Sequence, residues 1–320
     1  MRKVLKLLNS SFKVAVIGAH GGVGQSTSLL LKCNCNLISK LNLLDIVDPK
    51  GIALDLSHIP NKCKVRGFVV PDEVEEGLTG VDFVLFCLEN GKITGHTRSS
   101  LFYGNAPLVE EHMNSIAKYC PSAMVAFITN PVNSLAPLAV QALANNGVDG
   151  SRRVVGVTTL DLIRTISFVS DMLDIEPSEV TSTVLGGHSG ETITAIIRDG
   201  NFNESETADL CEKISDAGFD VYRARNNVSS TLGIAAAGFR ITQSILSGLN
   251  GDPNVVDTAF VKSNLTRTSY FSSPVRFGKE GVEEIFPLPK FTKSQEEMLE
   301  KSFQYIEQEI QTGLDYFSKS

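Results

Sequence analysis

Residues 12–24 read F-K-V-A-V-I-G-A-H-G-G-V-G, and this stretch decides how the rest of the chain is understood. Six residues of mostly apolar, strand-favouring type run straight into a turn with glycines at 18, 21, 22 and 24. A helical pattern follows over 24–32. A strand, a glycine turn and a helix in immediate succession place the helix's first, unbonded amides at the strand end, where they attract an anion. Glycine permits the tight turn and lets backbone approach a ligand. Gly18, Gly21 and Gly24 are spaced G-x-x-G-x-x-G rather than the commoner G-x-G-x-x-G, and the physical need is the same.

Outward from this unit, apolar runs recur at 41–47, 81–88, 123–129 and 153–157, with helical stretches such as 108–119 and 134–145 between them. Near-continuous apolar strands alternating with helices predict a parallel sheet covered on both faces, a doubly wound (Rossmann-type) α/β domain. The pattern changes after about residue 180. Strand-like runs at 181–185 and 192–198 precede one long helical stretch over 204–248. Three short strand-like runs follow at 255–261, 269–277 and 282–286, then a final helix over 293–317. That is a second, α+β half. No Gly-, Pro- or Ser-rich linker divides the halves, so they are expected to pack firmly with a cleft between them.

The chain has 320 residues, 42% hydrophobic and 20% charged, enough to bury a sizeable core. Its 29 basic and 36 acidic residues leave a net charge of −7, which argues against nucleic acid or an anionic membrane as the main partner. No uninterrupted apolar run approaches a membrane span. Six scattered cysteines read as free thiols of a reducing compartment. Cys33 and Cys35 form a C-x-C pair without a second Cys or His pair at zinc spacing, so no metal site is expected. The first twelve residues carry Arg2, Lys3 and Lys6 and no acid, as organelle transit peptides do. Mitochondrial import is the expectation, a cytoplasmic location the alternative.

Asp45 ends the second strand, 21 residues beyond Gly24, near the ~20 expected for the acid that binds an adenosine ribose. A carboxylate there accepts from both ribose hydroxyls and repels a 2′-phosphate, so NAD is favoured over NADP. This predicts a cofactor-binding domain over 13–157 behind a basic extension over 1–12, with the substrate domain over 158–320. His188 lies in G-G-H-S-G at a break between two strands, and a histidine suits proton exchange near neutral pH. The glycines before it are expected to let a substrate come close. Asp161 and Arg164 stand three apart on a predicted helix and share a face. They are either an intrahelical ion pair or hold separate jobs, Asp161 orienting an imidazole and Arg164 clamping a carboxylate. The segment G-K-I-T-G-H-T-R, 91–98, follows a strand end and carries Lys92 and Arg98, which suits either a mobile lid closing on an anion or a solvated basic loop. T-N-P-V-N, 129–133, ends another strand, and the X-Pro geometry would aim Asn130 at cofactor and substrate.

Together these motifs resemble the NAD-dependent malate dehydrogenases of the bacterial and mitochondrial type, within the lactate/malate dehydrogenase superfamily. The matching stretches are K-V-A-V-I-G-A-H-G-G-V-G-Q, A-L-D-L-S-H-I, I-T-N-P-V-N-S, V-V-G-V-T-T-L-D-L-I-R and L-G-G-H-S-G-E-T-I. The resemblance implies hydride transfer between NAD and malate or oxaloacetate. His188 would be the acid–base catalyst with Asp161 its partner, Arg164 would hold the substrate's C1 carboxylate, and Arg98 would polarise the reacting carbonyl. Gly18, Gly21, Gly22, Gly24, Asp45, Thr129 and Asn130 would bind NAD, Asn105 would contact its nicotinamide side, and Asn130 would also position substrate. Family members are usually homodimers or homotetramers.

The chain departs from the family over Leu88–Arg98, where both lid prolines are gone, Glu89 replaces a glycine, and Lys92 replaces the arginine that grips the distal carboxylate. Lysine keeps the charge and loses the bidentate fork. A second departure spans 225–233, R-N-N-V-S-S-T-L-G, in place of a small, glycine-rich segment. These departures keep two alternatives open: a dehydrogenase of another 2-hydroxy acid with an aromatic or small apolar side chain, or a catalytically impaired cofactor-binding paralogue.

Overall fold

The computed structural model describes residues 11–34, 36–89 and 97–318. Six parallel strands form the first half: β1 (Phe12–Ile17), β2 (Ile38–Asp45), β3 (Lys64–Val69), β4 (Phe83–Phe86), β5 (Met124–Phe127) and β6 (Val154–Gly156), in the order β3-β2-β1-β4-β5-β6. Helices α1 (Gly22–Asn34), α2 (Lys50–Ser57), α3 (Val74–Leu78), α4 (Arg98–Tyr119) and α5 (Val132–Asn145) connect them. The second half adds α6 (Thr159–Leu173), β7 (Thr183–Gly186), β8 (Ile193–Ile196), α7 (Glu204–Ala224), α8 (Leu232–Leu249), β9 (Val256–Lys262), β10 (Tyr270–Gly278), β11 (Gly281–Ile285) and α9 (Lys293–Leu314).

Alternate residues of each central strand feed two separate cores, as the period-two pleat requires. Ala15, Ile17, Val84, Phe86, Val125 and Phe127 face one side, with residues of α4, α5 and α9. Val14, Val16, Phe83, Leu85, Met124 and Ala126 face the other, with Leu31 of α1 and Ile241 and Ile245 of α8. Both faces being buried is why these strands read as continuous apolar runs. Each fully buried aliphatic side chain contributes about 1.5–3 kcal/mol. A smaller cluster, including Val169, Val184, Ala195, Leu210 and Ile214, holds α6, α7, β7 and β8 together.

The two halves do not merely pack. Gly156 of β6 pairs antiparallel with Phe260 of β9, so one sheet of eleven strands runs through the molecule. A Cβ at Gly156 would stand 2.4 Å from Val132 Cγ1 and 3.1 Å from Phe260 Cβ, so this junction needs glycine.

Other expectations are corrected here. β3 escapes the sequence reading because it is an edge strand whose Lys64 and Arg66 do not give an apolar run. The helical stretch over 204–248 is two helices, broken where Asn226 and Asn227 take φ of 52° and 67°, a left-handed conformation that asparagine tolerates. Helix α4 begins ten residues before 108: Thr97 caps it by accepting from the Ser100 N–H at 3.1 Å, and Pro107 within the helix hides its continuity in sequence. Helix α8 is long and apolar enough to cross a membrane by length and composition. Its buried Ala237, Ile241 and Ile245 make it a core helix against the sheet.

Candidate active site

The glycine turn is built as its spacing requires. Gly18 has φ of +87°, and a Cβ there would meet Leu88 Cα at 2.4 Å. A Cβ on Gly24 would stand 2.2 Å from the Gly18 carbonyl oxygen. Gly22 opens α1 and faces Thr231, while Gly21 donates its amide to the Gly18 carbonyl at 3.3 Å. Asp45, at the end of β2, accepts from the His20 N–H at 2.8 Å and from the Val47 N–H at 3.1 Å. Its carboxylate is thereby fixed beside the turn. The first helical bond of α1 runs from the Gln25 N–H to the Gly21 carbonyl at 2.9 Å, so the amides of Gly22, Val23 and Gly24 ahead of it are the donor set of an anion site and fit the pyrophosphate of a dinucleotide.

The strand ends bring this turn toward the second half. Leu88, just past β4, packs on Gly18 and its carbonyl accepts from Thr129 Oγ1 at 2.6 Å. The segment leading into α8 touches both sides: Thr231 Cγ2 lies against Gly22, and Gly233 lies against Leu160, next to Asp161. Sites of this sheet type form where strand C-termini converge.

His188 donates from Nδ1 to Asp161 Oδ2 at 2.6 Å. Asp161 is fully buried, and His188 and Arg164 have side-chain exposures of 13% and 14%. A carboxylate can only accept, so Asp161 fixes the Nδ1–H tautomer and leaves Nε2 to exchange a proton. Arg164 Nη1 reaches the other Asp161 oxygen at 3.5 Å. Burial pushes the Arg164 guanidinium below its ordinary pKa, and the Asp161 charge acts against that push. Asp161 therefore serves histidine and arginine at once: the intrahelical ion pair forms, and the same carboxylate holds the imidazole.

The glycines before His188 are required by close packing of the loop itself. Gly186 has φ of +103°, and a Cβ there would meet the Thr192 carbonyl oxygen at 2.1 Å. A Cβ on Gly187 would meet Asn133 Nδ2 at 2.5 Å. They make room for the frame that holds the histidine. Asn133 Oδ1 accepts from the His188 N–H at 2.9 Å.

Arg98 is the first residue of α4, not part of a loop, and its Nη1 donates to Glu309 Oε1 on α9 at 2.6 Å. Glu309 Oε2 accepts from Asn133 Nδ2 at 2.6 Å. The structure thus links Arg98 to the His188 loop through two residues the sequence reading did not single out. Asn133 stood in the quoted T-N-P-V-N motif; Glu309 had no local signal. Thr129 and Asn105 are buried, and Asn105 Nδ2 donates to the Asn130 carbonyl at 2.8 Å. Both lie at the C-terminal end of β5, Thr129 tied to the Leu88 carbonyl and Asn105 to the backbone of Asn130. Lys92 and the rest of the expected lid up to His96 lie outside the described residues, as do Cys35 and residues 1–10. Among the described residues no cluster of His, Cys, Asp or Glu is arranged to hold a metal.

Two family models cover nearly the whole chain: the lactate/malate dehydrogenase NAD binding domain over residues 12–156 and the lactate/malate dehydrogenase alpha/beta C-terminal domain over 158–316. Mitochondrial malate dehydrogenase of Mus musculus is 38% identical over 309 residues, 95% of this chain and 91% of that one. Glyoxysomal malate dehydrogenase 2 of Brassica napus is 38% identical over 316 residues, 97% of this chain and 88% of that one. In fold, the chain is similar to the apo malate dehydrogenase of Picrophilus torridus, with TM-score 0.83, 23% identity and coverage of 96% and 99% of the two chains. It is equally similar to the lactate dehydrogenase of Eimeria maxima solved with NADH and oxamate, with TM-score 0.82, 23% identity and coverage of 97% and 96%.

Proposed function

The chain belongs to the lactate/malate dehydrogenase family, and from that premise we propose that it is an NAD-dependent enzyme interconverting malate and oxaloacetate. The observation that carries the reading is the buried Asp161 carboxylate set 2.6 Å from His188 Nδ1, with Arg164 on its other oxygen. NAD, when bound, supplies the hydride acceptor for oxidation and, as NADH, the donor for reduction. Gly18, Gly21, Gly22 and Gly24 would hold its pyrophosphate and Asp45 its ribose, with residues 13–157 as the cofactor domain and 158–320 as the substrate domain.

In oxidation His188 Nε2 takes the proton of the C2 hydroxyl as the C2–H bond gives up hydride, and Asp161 stabilises the imidazolium that forms. In reduction the protonated His188 returns that proton to the developing alkoxide. Arg164 clamps the C1 carboxylate with its planar fork. Arg98 places positive charge at the carbonyl oxygen, where donors aimed at developing charge act most strongly. Asn130 orients substrate from the end of β5; Thr129 and Asn130 would also contact NAD, and Asn105 its nicotinamide side.

The test is a panel of oxaloacetate, pyruvate and phenylpyruvate with NADH. Oxaloacetate is expected to give the highest kcat/KM, and His188→Ala is expected to abolish turnover. The departures at Lys92 and over 225–233 favour one second reading, a dehydrogenase of another 2-hydroxy acid. A higher kcat/KM on pyruvate or phenylpyruvate would establish it in place of the first. No turnover of any 2-keto acid would instead support a cofactor-binding paralogue. We also propose a homodimer or homotetramer, checked by light scattering, and mitochondrial import directed by the basic N-terminus, checked by localising a fluorescent fusion with and without residues 1–12.

A further inference from the structure

We propose that Glu309 is a positioning residue for this reaction, one carboxylate that fixes both Arg98 and the loop of His188; the inference rests on the function proposed above. Its Oε1 accepts from Arg98 Nη1 at 2.6 Å, and its Oε2 accepts from Asn133 Nδ2 at 2.6 Å and from Ser189 Oγ at 3.3 Å. Asn133 passes the constraint on, because its Oδ1 accepts from the His188 N–H at 2.9 Å. Two planar groups and three hydrogen bonds therefore join the guanidinium of Arg98 to the backbone of the acid–base residue.

The surroundings of Glu309 suit a fixed ligand, not a solvated surface acid. Its side chain is 15% exposed, against 45% for Glu307 and 62% for Glu300 on the same helix. Helix α9 is held tightly at this point. One turn beyond Glu309 a Cβ on Gly313 would stand 2.1 Å from the Ser134 carbonyl oxygen, so α9 rests directly on the first turn of α5, which also carries Asn133. Arg98 in turn needs a counter-charge. It opens α4, where the helix dipole disfavours a cation. Glu309 offsets that cost and uses one of the five guanidinium donors. Charge-assisted contacts of this geometry preorganise a donor before substrate arrives, which lowers the reorganisation needed in the transition state.

A purely architectural glutamate would make the same contacts to Asn133 and Ser189, so the test must read the coupling to Arg98. Full-length wild type, Glu309→Gln, Arg98→Ala and the double variant are compared with NADH and the best 2-keto acid of the panel. Steady-state kcat and KM are measured, with the primary isotope effect from deuterated NADH and thermal unfolding of each protein. Glutamine keeps an acceptor oxygen for Asn133 and Ser189 and drops the charge that holds Arg98. Glu309→Gln is expected to lower kcat about tenfold and to raise the isotope effect, with KM for NADH within about twofold. In the Arg98→Ala background the same change is expected to cost less than about twofold, because coupled residues are non-additive.

Equal losses in both backgrounds would overturn the proposal, as would an unchanged kcat. So would a rise in kcat/KM, since the carboxylate would then be competing with substrate for Arg98. If Glu309→Gln does not fold, the cycle is run with Glu309→Asp, which keeps the charge one methylene short, and the same non-additivity decides. Wild type that turns over no 2-keto acid sinks the proposed function and this inference with it; an active wild type with an additive cycle sinks this inference alone.

Discussion

Asp161→Asn keeps the side chain's volume and removes its charge at the one acid that is fully buried in the site. In the oxidation proposed above, His188 acquires a positive charge against a carboxylate oxygen 2.6 Å from Nδ1. For charge centres about 4 Å apart, an effective dielectric near 20 gives an attraction of about 4 kcal/mol. A neutral amide oxygen retains a hydrogen bond roughly half as strong as the charged one. The net loss of transition-state stabilisation is then about 2–4 kcal/mol, or roughly 30- to 1,000-fold in kcat. An asparagine that turned its amide toward Nδ1 would move the ring proton to Nε2 and place the loss at the upper end. The assay is kcat for oxidation at saturating NAD and malate, the direction in which the imidazolium charge develops, with circular dichroism to show an intact fold. A variant that keeps kcat within threefold of wild type would refute the reasoning, because Asp161 would then be only the ion-pair partner of Arg164.

Four further outcomes follow from the geometry. Gly24→Ala, with its Cβ only 2.2 Å from the Gly18 oxygen, is expected to weaken NADH binding at least tenfold by fluorescence titration and to lower Tm; wild-type binding would show that the turn can yield. Burial pushes the Cys87 thiol up to about 12, so iodoacetamide at pH 8 is expected to label exposed Cys33 and spare Cys87, as read by peptide mass spectrometry. Burial lowers the pKa of His112, which donates from Nδ1 to the Leu108 carbonyl and packs edge-on to Phe86. Below about pH 6.5 the unfolded chain then binds a proton that the native chain resists, so this histidine costs stability as pH falls; His112→Phe is expected to show a shallower fall of Tm between pH 7 and 5 than wild type. Gly313→Ala forces α9 off α5 and is expected to cost about 1–3 kcal/mol in denaturant unfolding, with a drop in kcat because Glu309 moves with the helix.

How far the sequence carried can be judged from individual residues. The strand–turn–helix at the start is local: what makes Gly18 and Gly24 glycines is backbone within a few residues and one neighbouring strand, and the strand runs announce their two-sided burial by composition. His188, Asp161 and Arg164 stand out in the sequence by chemistry and spacing, and the fold brings His188 to Asp161. The longer elements are less legible. Pro107 concealed the first ten residues of α4, so Arg98 was expected on a loop; the paired asparagines that split α7 from α8 gave no break strong enough against so much helical pattern.

By itself the sequence determined the parallel half, the glycine turn with Asp45 near it, and the candidates His188 and Asp161, because each depends on periodicity, on backbone freedom or on residue chemistry within a short window. Only the tertiary structure decided that both halves share one sheet through Gly156 and Phe260, and that Asn133 and Glu309 bridge Arg98 to His188. Asn133 and Glu309 are 176 residues apart, and what brings them together is the close approach of α9 to α5 at Gly313. That approach comes from packing between helices distant along the chain, and no local pattern encodes it.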